Sequence, residues 1–281
     1  MDGVSHAFQY PRVMSIAGSD SGGGAGIQAD LKTLAALGCY GMTAITALTA
    51  QNTLGVRAIH PVPPEILRDQ IDAVVEDIGV DAVKIGMLHS SEIVRTVAAA
   101  IDRHALQRVV LDPVMISTSG ARLIDDQAQA VLVTELFARA IVVTPNLDEA
   151  AMLVGRRIEN EAAMEIAARE LIELGAAAVL LKGGHLAGET VSDLLLMRDG
   201  TVHWMRAPRI ATYNTHGTGC TLSSAIAAYL ALGATLPQAV ASARSYVRGA
   251  LQAGAAVRTG AGSGPLNHGH APQAMRLKAL N

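Results

Sequence analysis

Residues 12–47 read RVMSIAGSDSGGGAGIQADLKTLAALGCYGMTAITA, and this stretch decides the fold class. It opens with a short apolar run (12–17), passes through a glycine-rich turn and a segment of helical period (25–37), and closes on a second apolar run (40–47). Apolar runs of strand length that alternate with helical segments predict parallel strands joined by helical crossovers. The stretch is therefore predicted to be the first strand–helix–strand unit of an α/β domain.

The same alternation continues along the chain. We predict further strands at residues 82–85, 108–111, 140–143 and 177–181, and helices at about 65–77, 92–104, 125–137, 161–174, 219–232 and 237–253. Two apolar runs, 191–197 and 201–205, flank Asp199-Gly200. Because that dipeptide favours the turn of a tight hairpin, we expect an antiparallel edge on a mostly parallel sheet.

Composition places the chain among globular α/β proteins. It has 281 residues, of which 50% are hydrophobic and 3% aromatic, so aliphatic residues must pack the core. The net charge of -3 gives no basic surface for nucleic acid. Since no repeat or linker divides the chain, we expect one domain over residues 12–281, an N-terminal extension over 1–11, and a C-terminal tail that is loosely held from about 259.

Three further features predict a cytoplasmic protein without a membrane span. The only cysteines, Cys39 and Cys220, lie far apart in sequence, which argues against a disulfide scaffold or a structural zinc site. Residues 1–11 contain no apolar stretch of signal-peptide length. Residues 210–243 lack Asp, Glu, Lys and Arg, but polar residues interrupt them, so a buried helical segment explains them better than a membrane span.

The most informative residues follow predicted strands, where open α/β sheets bind their ligands. The first group is the glycine-rich turn, residues 18–26, which lets backbone approach a ligand closely. It matches neither the dinucleotide fingerprint nor a Walker loop, and a flexible turn is the alternative. Gln51 and Asn52 follow the second strand and offer amide groups to the edge of a heterocycle, although singly they are ordinary loop residues.

The second group is Asn214-Thr215-His216-Gly217-Thr218-Gly219-Cys220, at the start of the uncharged helical segment. Glycines at a helix start leave amide N–H groups open to an anion, which predicts a phosphate site. The positive end of the helix would lower the pKa of Cys220 and make it a candidate thiolate. A small buried cysteine is the plain alternative, and a Cys220/His216 nucleophile pair is a rival.

The third group carries metal- and phosphate-binding chemistry. Asn146 and Glu149 are three residues apart, and they either hold Mg²⁺ or form a helix-capping pair, which looks identical in sequence. Asp112, at a strand end, is either a metal-side carboxylate or a turn residue. Lys182 follows the strand predicted at 177–181 and can reach a phosphate as a point charge, although a surface lysine is the commoner case.

Together these segments resemble the hydroxymethylpyrimidine/phosphomethylpyrimidine kinases of thiamine biosynthesis, which belong to the ribokinase superfamily. The resemblance spans roughly residues 12–268 and rests on seven motifs in family order: residues 17–30, 49–53, 84–87, 112–115, 144–149, 182–185 and 215–220. It implies a ribokinase-like three-layer α/β/α sandwich. It also implies ATP-dependent phosphorylation of 4-amino-5-hydroxymethyl-2-methylpyrimidine and then of its monophosphate, with Mg²⁺, by a homodimer.

The resemblance further assigns roles residue by residue. Gln51 would bind the pyrimidine in a pocket lined by Gly18, Asp30, Met87 and Val114. Asp112 and Glu149 would lie on the Mg²⁺ side, while Asn146, Glu149, Thr218 and Lys182 would contact ATP and its phosphates. The anion hole would be formed by Gly217, Gly219 and Cys220. Much of the superfamily has a catalytic Asp where this chain has Cys220.

Cys220 suggests a hypothesis about the two substrates. A thiol can stay neutral, whereas a carboxylate about 4 Å from a substrate phosphate would be repelled by roughly 4 kcal/mol at an effective dielectric of about 20. Cys220 would therefore let one site accept both the alcohol and its phosphate. The nearest alternative function is a pyridoxal or pyridoxine kinase of the same superfamily. A Cys/His acyl-transfer enzyme and a non-catalytic pyrimidine or nucleotide sensor are more distant ones.

Overall fold

The computed structural model describes residues 7–116 and 123–280, and its centre is a nine-stranded sheet. Its strands are β2 Arg12–Asp20, β3 Tyr40–Asn52, β4 Gly55–Pro61, β5 Ala82–Ile85, β6 Val109–Leu111, β7 Val142–Val143, β8 Ala178–Leu181, β9 Thr190–Met197 and β10 Val202–Pro208. Their order in the sheet is β10-β9-β8-β7-β6-β5-β2-β3-β4. The neighbours from β8 to β3 in this order pair in parallel, whereas β4, β9 and β10 pair antiparallel.

Helices cover both faces of this sheet and confirm the three-layer α/β/α sandwich. The helices are α1 Gly26–Ala36, α2 Pro64–Asp77, α3 Ser91–Arg103, α4 Asp126–Leu136, α5 Leu147–Val154, α6 Glu161–Glu173, α7 Thr218–Ala231 and α8 Leu236–Gly254. One apolar core packs α2, α3, α4 and α6 on one face of the sheet, and a second packs α1, α7 and α8 on the other. The uncharged segment forms much of α7, most of whose residues are buried, as expected.

Strand β4 and helix α5 are among the elements that the sequence did not predict. Strand β4, Gly55–Pro61, pairs antiparallel with the end of β3 and gives the sheet a second antiparallel edge. Its residues are half-buried or exposed, so it lacks the apolar alternation that marks a strand. Helix α5 has only eight residues, Leu147–Val154, which is too short for a clear helical period.

The strand order places a ligand crevice between β2 and β5. From β2 the chain moves to β3 on one side and later returns to β5 on the other, so the two crossovers diverge there. Ligands bind α/β sheets outside the carboxyl ends of the strands at such a switch point. Residues 18–20 and 86–87, which follow or end these strands, are therefore placed at the site.

Described residues near both ends of the chain pair with each other, and those near the C-terminus bond to the domain. Phe8–Gln9 (β1) pairs with Lys278–Ala279 (β11), and the first six residues of the expected N-terminal extension lie outside the described residues. The tail after residue 259 bonds to the domain, because Asn267 N donates to Ala250 O and Arg276 N donates to Gly38 O. This differs from our expectation of a loosely held tail, since glycine content alone does not reveal such distant backbone partners.

Within the described part of the chain, the helices are too short or too polar to cross a bilayer. Cys39 is buried and Cys220 is half-buried, and neither forms a disulfide.

Candidate active site

A cavity of about 590 Å³ lies at the carboxyl ends of the parallel strands. It brings together groups that the sequence scatters over some 200 positions. Of the predicted site residues, the cavity wall includes Gly18, Gln51, Met87, Asp112, Val114, Asn146, Glu149, Lys182, Gly217, Thr218, Gly219 and Cys220. Asp30 is not on this wall.

The first turn of α7 provides the anion-binding end of the cavity. Gly217 is the N-cap residue, with a left-handed φ of 81°, and no side chain caps the helix. A Cβ at Gly217 would lie 2.9 Å from the Gly24 carbonyl carbon and closer still to its oxygen, so only glycine fits. The Thr218 amide donates to the Thr215 carbonyl oxygen, but no side chain caps this turn, so its later amide groups can bind an anion, and the helix dipole adds attraction.

Cys220 lies in this turn, but our expectation of a lowered thiol pKa is wrong. Burial raises the pKa of Cys220 to about 11. The Lys84 ammonium and the Gly26 amide lower it, but they do not outweigh burial together with the nearby Asp30 and Asp112 carboxylates. A thiol with such a pKa is neutral near pH 7, which fits the hypothesis of a neutral group at this position.

The same geometry counts against a Cys220/His216 nucleophile pair. His216 Nε2 lies 3.0 Å from Asp20 Oδ2 and 3.4 Å from Gln51 Nε2, so this nitrogen is engaged away from the sulfur. A nucleophile is activated when its base lies within hydrogen-bond reach of it. His216 instead joins the loop before α7 to the glycine-rich turn.

Asp20 organises the glycine-rich turn. It accepts hydrogen bonds from the backbone amides of Gly22, Gly24 and Ala25, at 2.8, 3.0 and 2.9 Å. Although burial raises the pKa of Asp20, the hydrogen bond with His216 and these amides lower it below its usual value. A charged Asp20 therefore holds the turn in one conformation, which argues against the alternative of a flexible turn.

Lys182, Asp112 and Glu149 form a charged cluster beside the anion-binding turn. Lys182 Nζ donates to Asp112 Oδ1 at 2.9 Å, and a Cβ on Gly219 would lie 3.1 Å from Lys182 Nζ. Burial, and then the Asp112 carboxylate, raise the pKa of Glu149 to about 7, while Lys182 lowers it. Two buried carboxylates near each other are the donor type that Mg²⁺ prefers, and a bound cation would relieve their repulsion. The donor set therefore fits Mg²⁺.

Asn146 and Glu149 also form a capping box, so the capping alternative is correct for their mutual contacts. Glu149 N donates to Asn146 Oδ1 at 2.9 Å, and Asn146 N donates to Glu149 Oε2 at 2.8 Å. A carboxylate has about four acceptor positions, so capping leaves Glu149 able to bind a metal as well. The cap fixes the Glu149 side chain at the cavity wall.

Another part of the cavity wall includes Gly18, Met87 and Val114. A Cβ on Gly18 would lie 2.6 Å from Met87 Cε, so the glycine makes room for the methionine. Gln51 also lines the cavity, and Thr49 Oγ1 donates to Gln51 Oε1 at 3.2 Å. Asp30 lies behind this wall with no exposed surface, which differs from the pocket-lining position implied by the resemblance.

Several site residues were not identified from the sequence. Asp20 and Lys84 had no distinguishing spacing, although both lie in motifs that the resemblance includes. Arg209 and Arg244, with the apolar residues Ile210, Val247 and Leu251, line the cavity beyond the anion-binding turn. Arg209 and Ile210 follow β10, and the other three residues lie on α8, so the two groups become adjacent only when the chain folds and no local signal could have found them.

Comparison with known proteins gives a consistent result. The family model described as phosphomethylpyrimidine kinase matches residues 20–267. The Hydroxymethylpyrimidine/phosphomethylpyrimidine kinase of Rhizobium meliloti is 52% identical over 258 residues, which cover 92% of this chain and 96% of that protein. The thiamine biosynthesis bifunctional protein ThiED of Geobacter sulfurreducens is also 52% identical, and the match covers 92% of this chain but only 53% of that protein.

A solved structure agrees with the fold. The pyridoxal kinase from Staphylococcus aureus in complex with ADP superimposes with a TM-score of 0.87 and is 32% identical, over 97% of this chain and 100% of that chain. The match to the family model extends over most of the sequence and includes residues 20–26 of the glycine-rich turn, the Lys182 motif and the Cys220 motif. This chain belongs to the phosphomethylpyrimidine kinase family.

Proposed function

We propose that this protein uses ATP to phosphorylate 4-amino-5-hydroxymethyl-2-methylpyrimidine and then phosphorylates the monophosphate to the diphosphate, as its curated relatives are named to do. One observation carries the assignment: the uncapped start of α7, Lys182 and the Asp112/Glu149 pair share one cavity with Gln51, Met87 and Val114. An anion hole, a cation and a metal-type carboxylate pair beside a neutral pocket are the parts that phosphoryl transfer needs.

Different parts of the cavity bind the pyrimidine and the adenine of ATP. Gln51 and the wall of Gly18, Met87 and Val114 hold the pyrimidine with its hydroxymethyl group towards Cys220. The apolar end beyond α7, with Val247 among its residues, accepts the adenine of ATP.

Phosphate charge is neutralised at the centre of the cavity. The amides at the start of α7 bind the transferred phosphoryl group, and Lys182 contacts the nucleotide phosphates. Because phosphoryl transfer has a loose transition state, this positioning and charge neutralisation contribute most of the catalysis. The attacking hydroxyl needs only modest help from a base, and the attacking phosphate of the second step needs none.

Asp112 and Glu149 would hold Mg²⁺, which would neutralise negative charge on the phosphates. Glu149 is held in place by the capping box with Asn146, and Asp112 by Lys182. The same carboxylates position Lys182 for the nucleotide. A titration of turnover with Mg²⁺ tests this part of the proposal.

The decisive experiment is ATP consumption with a panel of hydroxymethyl heterocycles, with and without Mg²⁺. The proposal expects Mg²⁺-dependent turnover of the pyrimidine and of its monophosphate. Pyridoxal belongs in the panel because the S. aureus pyridoxal kinase has the same fold. Turnover of pyridoxal in preference to the pyrimidine would replace the proposed substrate, and ligand binding without turnover would favour a sensor.

We also infer a homodimer and a cytoplasmic location. Three apolar side chains are exposed at the edge of the sheet that the antiparallel strands β3 and β4 form. They are Leu48 on β3, Leu54 in the connection and Ile59 on β4. Such an apolar edge suits burial against a second copy. Light scattering would give twice the mass of 29.1 kDa for the dimer.

The cytoplasmic location is inferred from the cysteines. The free thiols of Cys39 and Cys220 suit a reducing compartment, and cell fractionation would test this location.

A further inference from the structure

A buried ion pair forms part of the wall of the cavity: Lys84 lines the cavity, and Asp30 lies behind it. Lys84 on β5 donates from Nζ to both carboxylate oxygens of Asp30 on α1, at 3.0 and 2.9 Å, and neither side chain has exposed surface. Two hydroxyl groups complete the shell of Asp30: Ser15 Oγ at 2.5 Å and Ser224 Oγ at 2.7 Å. All the partners of this carboxylate are therefore supplied by the protein interior.

The pair is adjacent to the start of α7. Cys220 and Ser224 are four residues apart on this helix and so share a face. Since Ser224 bonds to Asp30, that face packs on the ion pair. Lys84 and Cys220 also line the same cavity. A Cβ on Gly86 would lie 2.8 Å from Lys84 Nζ, so glycine at that position makes room for the ammonium.

A buried ion pair contributes little to stability, because the desolvation of both ions offsets their attraction. Its presence beside the reacting group therefore calls for another explanation. A lysine ammonium has three N–H donors, two of which bind Asp30. A positive charge behind a sulfur favours the thiolate, and a negative charge beside that cation opposes it.

We propose that Lys84 is a positioning residue for Cys220: its ammonium, fixed by Asp30, stabilises negative charge on the sulfur, and Asp30 limits this effect. The proposal deepens the proposed function and rests on it, because a site that takes a neutral alcohol and a phosphate monoester needs a group that is neutral at rest. The ion pair then sets the proton affinity of that group without touching substrate.

Other charges also face Cys220. Asp112, at the end of β6, and Lys182, at the end of β8, interact with it electrostatically. Burial raises the pKa of Cys220, Lys84 is the strongest group that lowers it, and Asp30 and Asp112 raise it. Variants at Lys84 and Asp30 leave Asp112 and Lys182 unchanged, so they isolate the contribution of the buried pair.

The test measures the proton affinity of Cys220 directly, by the rate of alkylation with iodoacetamide as a function of pH in the absence of ATP. It uses a Cys39→Ser background, which removes the other thiol. In that background Asp30→Asn removes the negative charge at nearly constant volume. We expect its Cys220 to react about ten-fold faster at pH 8, which corresponds to about one pKa unit. Ser15→Ala, which removes a neutral donor to Asp30, is the matched control and should react at the parental rate.

A second variant keeps the test decisive if Asp30→Asn does not fold. In Lys84→Met/Asp30→Asn both charges are absent, and Cys220 should react more slowly than in the parent, because Lys84 has the larger effect of the two. Equal rates in parent and variants, or a double variant as fast as Asp30→Asn, would overturn the proposal. Parental turnover of the pyrimidine is measured separately, so failure of the proposed function is distinguishable from failure of this inference.

Discussion

Gly217→Ala tests whether the start of α7 must keep its position for catalysis. The new Cβ would lie 2.9 Å from the Gly24 carbonyl carbon, whereas carbon atoms in contact are about 3.5–4.0 Å apart. The loop before α7 and the glycine-rich turn must therefore separate by on the order of 1 Å. A misplacement of that size costs about 100-fold in rate. The left-handed φ of 81° adds a stability cost of roughly 1–2 kcal/mol.

Gly233→Ala is the matched control. Gly233 lies just after the other end of α7 with a φ of 91°, but a Cβ there would have no atom within 4 Å. In denaturant titration Gly233→Ala should lose only the free energy of unfolding that the left-handed backbone costs, and Gly217→Ala should lose more, because its Cβ also forces two segments apart. Only Gly217→Ala should lose about 100-fold in kcat/KM for ATP-dependent phosphorylation. If the two variants have the same kcat/KM, the amides at the start of α7 do not bind the reacting phosphate.

Three further predictions concern charge. Lys182→Met should reduce kcat/KM for ATP by about 10- to 100-fold, the value of a hydrogen bond to a charged group, as steady-state kinetics will show. Cys220→Asp should impair the second phosphorylation more than the first, because its carboxylate repels the substrate phosphate; equal loss in both steps would contradict this. Arg12 holds the pKa of Asp81 at about 2 against the opposing effect of burial, so the stability from this pair is full above pH 4 and is lost as pH falls towards 2. Asp81→Asn should therefore lower the free energy of unfolding at pH 7, and this difference from the parent should become smaller as the pH falls towards 2.

The sequence by itself determined the fold class and the places where chemistry had to be sought. Periodicity predicted β5 exactly as the structure has it, because Ala82–Ile85 is a fully buried strand with no competing pattern. It also predicted the hairpin of β9 and β10, since Asp199-Gly200 specifies a tight turn locally. The exposed strand β4 gave no such signal. The hydrophobic pattern of a segment reflects how its residues are buried. It therefore predicts a strand only where the residues are all buried or are buried at regular intervals.

Only the tertiary structure decided what the site residues do. The first turn of α7 suggested a reactive thiolate, but burial and the neighbouring carboxylates make Cys220 a neutral thiol. Asp30 resembled a pocket residue, yet it lies behind the wall and binds Lys84, which is 54 positions away. The pKa and the partners of a group depend on desolvation and on charges brought in by other elements. Those quantities follow from packing, and residue spacing along the chain does not encode them.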